Sequence, residues 1–355
     1  MSLLEKTLKK IVPADGKMYE KARERLFNQA KPAGSLGMLE DLSARLASIA
    51  GTLDVRLGNR VVVTCAGDHG VVEEGVSLFP QEVTVRMVFN FVAGGASINV
   101  LARHASAKVM VADLGVNHDF SKELPIFHKK VRKGTSNIAK GPAMSREEAL
   151  RSICAGIEIV EELCGSQPVD ILGTGDMGIG NTTPSSAVIA AFSGIDPEKV
   201  TGRGTGVDDK TLKHKVGVIK KALEINNPDP SDPLDVLARV GGFEIGGLAG
   251  LVLGGAARGI PVVCDGLIST AGALVACEMA PLAKEYLFAS HRSVEAGHRY
   301  MHERLGLSPI LDLNLRLGEG TGAAIAMEIL DASTRVLAEI KTFDEVNIEN
   351  VQKKE

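Results

Sequence analysis

Apolar residues early in the chain recur at helical spacing. Leu39, Leu42, Leu46 and Ile49 advance by threes and fours, so residues 1 to about 58 are expected to be mostly helical. The segment Lys31-Pro32-Ala33-Gly34-Ser35-Leu36-Gly37 interrupts that pattern, because its proline and glycines forbid continuous helix. The period then changes. Residues 60–66 form a β-branched apolar run, as expected of a strand buried on both faces, and the run ends in Gly67-Asp68-His69-Gly70. Residues 108–114, 169–172 and 260–264 predict further strands, the last ending in Asp265-Gly266.

Helical segments separate these runs. One opens at Pro80-Gln81-Glu82 and runs to about Arg103 with a break at Ala93-Gly94-Gly95-Ala96. Ser145-Arg146-Glu147-Glu148 matches a capping box opening a helix to about Leu163. Residues 208–226 read as a basic helix, and Val240-Gly241-Gly242-Phe243-Glu244 leads into an apolar one ending near Ala257. From about Val294 the chain is again expected to be mostly helical. Ala323, Met327, Leu330 and Leu337 share one face there, with Thr334 the polar exception. Helix, then strand–turn–helix units, then helix predicts a parallel α/β sheet at 60–293, with 1–59 and 294–355 forming a discontinuous helical subdomain.

Composition narrows the function. The chain has 355 residues, 45% hydrophobic and 24% charged, with a net charge of -4. That gives no electrostatic case for nucleic acid or an anionic membrane as partner. Glycine is abundant (39), aromatics are 4% and tryptophan is absent, which argues against base-stacking platforms and for many tight turns. The five cysteines contain no CxxC and sit in apolar surroundings, as expected of buried thiols in a reducing cytoplasm. The amino-terminal segment lacks the apolar core of a signal peptide. Residues 177–195 are charge-free, but Asn181, Thr182, Thr183, Pro184, Ser185 and Ser186 would be costly in lipid, so no membrane span is expected.

Several strand-end turns pair glycine with an acid: Asp68, Asp176 and Asp265. In open parallel sheets such turns gather at the ligand crevice. Leu315-Arg316-Leu317-Gly318-Glu319-Gly320-Thr321-Gly322 places one carboxylate between glycines with apolar flanks, which would desolvate Glu319 and make it a better base. The plain alternative is a first-turn carboxylate favoured by the helix dipole. Gly173-Thr174-Gly175-Asp176-Met177-Gly178 matches GxGxxG, with Asp196 about twenty residues on. A helix start with Thr183 as N-cap and Pro184 at the first position fits a single phosphate better than a dinucleotide. Gly202-Arg203-Gly204-Thr205-Gly206 is a second candidate phosphate loop, or a flexible one. His298 and His302 have zinc spacing but no third ligand, so solvent-facing histidines are expected. His69 is either catalytic or hydrogen-bonded within its turn. No Walker A or GxSxG motif occurs.

Taken together, the motifs resemble the nicotinate-nucleotide–dimethylbenzimidazole phosphoribosyltransferase family. The matching stretches are residues 31–37, Asp68-His69-Gly70-Val71, Gly178-Ile179-Gly180-Asn181-Thr182-Thr183-Pro184, Val240-Gly241-Gly242-Phe243-Glu244, Asp265-Gly266, Ser290-His291 and Arg316-Leu317-Gly318-Glu319-Gly320. The resemblance implies a doubly wound, mainly parallel Rossmann-like sheet and a homodimer whose sites are completed by the neighbouring subunit. It implies Glu319 as general base, and Gly178, Gly180, Asn181, Gly204 and Lys215 near ribose and phosphate. Asp176 stands at a ribose contact where the family usually has Glu. Phe79, Met87 and Met177 fall at the base pocket, and Asp265, Ser290 and Leu317 join the substrate-binding set. No metal and no cofactor is implied. The expected reaction moves 5-phosphoribosyl from nicotinate mononucleotide to 5,6-dimethylbenzimidazole, giving α-ribazole 5′-phosphate and nicotinate. A nicotinamide-dependent oxidoreductase and a non-enzymatic nucleotide-binding subunit are the rival classes.

Overall fold

The computed structural model describes residues 1–354. Seven strands form one sheet: β1 (Arg60–Gly67), β2 (Ala107–Gly115), β3 (Phe127–His128), β4 (Ile171–Met177), β5 (Val262–Cys264), β6 (Leu287–His291) and β7 (Pro309–Leu311). Their order is β3-β2-β1-β4-β5-β6-β7 and every pairing is parallel. The helices are α1 (Leu3–Leu8), α2 (Gly16–Asn28), α3 (Met38–Ala50), α4 (Glu82–Ala93), α5 (Ser97–His104), α6 (Arg146–Ser166), α7 (Thr182–Ser193), α8 (Pro197–Val200), α9 (Asp209–Asn226), α10 (Pro233–Val240), α11 (Phe243–Ala257), α12 (Leu267–Met279), α13 (Ala296–Leu305) and α14 (Thr321–Glu339).

Strand side chains alternate between two apolar layers. Val61, Val63 and Cys65 of β1 join Leu172, Val262 and Leu287 in a core covered by α6, α7, α11 and α12. Val62 and Ala66 join Ile171, Val263 and Phe288 in a second core under α2, α3, α4, α5 and α14. Helices thus cover both faces of a parallel sheet, the doubly wound arrangement. The terminal helices α2, α3 and α14 pack together on the second face.

Local chemistry sets the boundaries. Ser145 Oγ accepts from the Glu148 N–H at 3.1 Å and the Glu148 carboxylate accepts from the Ser145 N–H at 2.8 Å, closing the expected capping box of α6. Asp208 caps α9 through the Thr211 N–H at 2.8 Å. Three expectations shift. The third strand runs on to Met177, so Gly173 and Gly175 are strand residues and not a turn. The strand expected from residue 260 starts at Val262. Helix α7 begins at Thr182, one residue before the expected cap at Thr183, because Asn181 already has helical dihedrals after the left-handed turn at Gly180 (φ 85°). Strands β3, β6 and β7 carry no sequence signal of their own; at two to five residues each, they are too short for a readable period.

The charge-free residues 177–195 comprise the end of β4, a turn and the buried α7. A different stretch, Glu82–His104, has 23 residues with hydropathy 1.4, long and apolar enough to cross a membrane by composition. It divides into α4 and α5 around the left-handed Gly94.

Candidate active site

The strand order reverses between β1 and β4, and a cavity of about 380 Å³ opens at the carboxyl ends of the strands on that side. Its walls come from residues 76–87, 176–182, 204–205, 266–268, 291–295 and 316–319.

Glu319 occupies the middle of a left-handed turn: φ is 84° at Gly318, 66° at Glu319 and 101° at Gly320. It precedes α14 and is therefore not the first-turn carboxylate of the plain alternative. The turn lies directly on β4. A Cβ at Gly175 would come within 2.2 Å of the Glu319 carbonyl oxygen, so only glycine permits this approach. The Thr64 hydroxyl donates to that same carbonyl at 2.9 Å. The N–H groups of Gly320, Gly322 and Ala323 donate to the Asp265 carboxylate at 2.9, 2.7 and 3.1 Å. At the far end of the side chain, Oε2 accepts from the Ile98 N–H in the first turn of α5, at 3.2 Å. The residue lines the cavity yet is only 6% exposed. Burial pushes its pKa above the ordinary carboxylate value, and the Ile98 N–H offsets only part of that.

Two more acids lie close by. Asp176 is raised well above its usual range, by burial first and then by the charge of Asp265. Its Oδ2 accepts from Asn181 Nδ2 at 3.0 Å, while the buried Oδ1 has no partner. Asp265 is pushed up to about 7 by burial and by Glu319, against the lowering effect of its three backbone donors.

The cavity lining is of two chemical kinds. One is apolar, with Val76, Phe79, Val83, Met87, Met177 and Leu317. The other presents the start of α7 at Asn181 and Thr182 together with Gly204 and Thr205. Lys215 stands behind Thr182, fully buried, donating from Nζ to Thr182 Oγ1 at 2.6 Å and to the Gly202 carbonyl at 3.3 Å. Burial lowers its pKa to about 8, opposed by the charge of Glu295. Glu295 fixes the loop by accepting from the Gly204 N–H at 2.9 Å, and its Oε2 is buried without a partner.

Of the expected site residues, Glu319, Asp176, Met177, Gly178, Gly180, Asn181, Gly204, Leu317, Phe79 and Met87 meet in this one cavity. Lys215, Asp265 and Ser290 do not line it. Lys215 reaches it through Thr182, Asp265 spends its oxygens on the α14 amides, and Ser290 donates to the Asp265 carbonyl at 2.8 Å. Sequence reasoning missed Glu295 and Ser293, which line the wall after β6, and took His291 at the end of β6 only as part of a matching stretch; Glu295 carries no glycine or motif signal.

The remaining candidates resolve differently. The GxGxxG stretch has no room for a dinucleotide, since Gly173 lies against Met327 and Gly175 against the Glu319 turn. The expected solvent-facing histidines are buried: His298 bonds Thr270 Oγ1 at 2.9 Å and lies against His302, with ring centroids 4.0 Å apart and planes tilted by 49°. His69 pairs with Glu244 across the fold at 2.7 Å, outside its own turn.

Comparison with known proteins gives consistent matches. The family model described as Phosphoribosyltransferase matches residues 11–348. A Geobacter metallireducens protein named nicotinate-nucleotide–dimethylbenzimidazole phosphoribosyltransferase is 57% identical over 349 residues, 98% of this chain and 99% of that one. A Desulfotalea psychrophila protein of the same name is 51% identical over 352 residues, again 98% and 99% of the two chains. The crystal structure of CobT from Thermus thermophilus superposes with a TM-score of 0.90 at 46% identity, covering 94% of this chain and 99% of that one.

Proposed function

Since the chain belongs to the nicotinate-nucleotide–dimethylbenzimidazole phosphoribosyltransferase family, we propose that its strand-end cavity performs that transfer with Glu319 as the general base. The enzyme is a pentosyltransferase, moving 5-phosphoribosyl from nicotinate mononucleotide to 5,6-dimethylbenzimidazole and releasing nicotinate. The observation that carries the assignment of the base is a poorly hydrated carboxylate, pinned at one oxygen, in a cavity lined both by apolar side chains and by the start of α7 with Gly204 and Thr205.

The planar base enters among Phe79, Met87, Met177 and Leu317. The donor's phosphate lies toward Asn181, Thr182 and Gly204, where helix α7 begins and Lys215 stands behind. One azole nitrogen attacks C1′ on the face opposite the nicotinate, turning a β- into an α-nucleotide. As that nitrogen gains positive charge, the proton on the other ring nitrogen passes to Glu319. The C1′–N bond to the pyridinium breaks and its electron pair leaves with nicotinate. General-base help contributes about 10²- to 10⁴-fold, and in-line placement supplies much of the rest. Asp176, near Asn181 at the sugar's side, meets the ribose.

Mass-spectrometric detection of α-ribazole 5′-phosphate by wild type and Glu319→Gln tests the reading; a full-rate Gln variant removes Glu319 from it. Oxidation or reduction of a nicotinamide cofactor by the purified protein would favour the oxidoreductase class.

Leu78, Phe79 and Leu317 stand 58%, 50% and 55% exposed at the cavity mouth, which supports a homodimer whose second copy covers them. Light scattering at assay concentration checks this. Residues 60–293 act as the catalytic unit; the segment 294–355, expected to be helical, adds strand β7 to its sheet and brings Glu319, while α2 and α3 of 1–59 pack on α14, and limited proteolysis near both junctions tests that division. Five free cysteines support a cytoplasmic setting, testable by cell fractionation.

A further inference from the structure

We propose that Asp265 is a positioning residue, setting the place and direction of Glu319 through the backbone amides that follow it, without itself touching substrate. The inference rests on Glu319 being the base.

Asp265 is fully buried and lies outside the cavity wall. Its Oδ2 takes the Gly320 N–H, and its Oδ1 takes those of Gly322 and Ala323. These residues join Glu319 to α14, so the carboxylate grips the helix at the point where the base leaves it. The 19-residue α14 directs its positive end at the same carboxylate.

Asp265 is in turn held by the sheet. Its N–H donates to Thr174 Oγ1 of β4 at 3.4 Å, and its carbonyl accepts from Ser290 Oγ of β6. The geometry of three neighbouring strands therefore passes through one side chain into the turn. That turn needs such support. Glu319 sits at φ 66°, a conformation that a non-glycine residue keeps only when its surroundings over-determine it. Thr64 restrains it from β1, and Gly175 leaves it no slack toward β4. A carboxylate serving the ligand would keep an acceptor turned to the cavity; Oδ2 of Asp265 is taken by the Gly320 N–H and Oδ1 by two amides of α14, and the cavity-lining His291 stands 3.8 Å from Oδ1, beyond hydrogen-bond reach.

The test is a double-mutant cycle of wild type, Asp265→Asn, Glu319→Gln and the double variant, with initial rates of nicotinate release. Asn keeps one acceptor oxygen but opposes an N–H to the Gly320 or the Gly322 and Ala323 donors, loosening the turn at constant volume. A displacement near 1 Å is worth about 10²-fold in rate. Asp265→Asn is therefore expected to lower kcat by about that factor with KM for nicotinate mononucleotide unchanged within about two-fold. In the Glu319→Gln background it should add less than about three-fold, since the two act as one unit.

A rise in KM with kcat retained, or an equal loss in both backgrounds, overturns the positioning role while leaving Glu319 as base. A full-rate Glu319→Gln overturns both. If circular dichroism shows Asp265→Asn unfolded, Ser290→Ala, which releases the hydrogen bond that holds the Asp265 carbonyl, enters the same cycle. Additivity with Glu319→Gln there overturns the proposal, and non-additivity supports it.

Discussion

Gly175→Ala isolates the fit between β4 and the turn that carries the proposed base, Glu319. The added Cβ would meet the Glu319 carbonyl oxygen at 2.2 Å, the Glu319 carbonyl carbon at 2.6 Å and the Gly320 nitrogen at 2.8 Å. All three are main-chain atoms, so no side-chain rotation relieves the overlap. Ordinary contact distances require the turn to rise off β4 by roughly 1 Å, against the hold of Thr64 and Asp265. Overpacking of this kind costs about 1–3 kcal/mol of stability, which leaves a domain of typical stability folded. Displacing the base by that distance costs about 10²-fold in rate. The assay is kcat for phosphoribosyl transfer beside a urea unfolding curve. Gly217→Ala serves as control, because its exposed helical site has nothing within 4 Å of the new methyl. A folded Gly175→Ala enzyme turning over within about two-fold of wild type would refute the claim that turn height governs the rate.

Gly217→Ala itself should gain about 0.5–1 kcal/mol in the same urea experiment, through the entropy glycine loses in a helix interior. Glu319→Gln should lower kcat by about 10²- to 10⁴-fold. Its pH profile carries a sign: the working form is the carboxylate and burial raises its pKa, so wild-type kcat falls on acidification along a limb above the ordinary 4.5, a limb absent in the Gln variant. His302 is held down to about 4 by burial, against 6.5 in an unfolded chain. The unfolded state then binds the extra proton between those values, and stability falls as pH drops through that window, by about 2 kcal/mol at pH 5. His302→Phe should flatten that part of the pH–stability curve, read from urea midpoints at pH 7 and pH 5.

What could be read from the chain depended on the range of the responsible interaction. The first strand, the capping box of α6 and the basic helix α9 have signals carried by neighbours within a few residues, and each appears close to where the pattern put it. The gathering of Asp176, Asn181, Gly204, Leu317 and Glu319 was legible because strand-end turns of a parallel sheet share one crevice. Gly173 and Gly175 misled because their local signature is that of a phosphate turn. Their reason for being glycine lies about 145 residues away in α14 and its preceding turn, a separation that no local window spans. Asp265 has the same history: a glycine-flanked acid at a strand end looks like a ligand contact until the helix that it caps is in view. Burial of His298 and His302 followed from α13 lying against α12 and α7, a packing choice absent from the helix's own period.

Because Glu319 arrives with the last long helix, and α14 helps cover one side of the sheet, synthesis on the ribosome reaches the proposed base only after the strands and helices that build the rest of the site. A prematurely terminated product would lack both the acid and the helix that shields Val62, Ile171 and Val263 from water. Such fragments would lack the proposed base and present that apolar face to solvent.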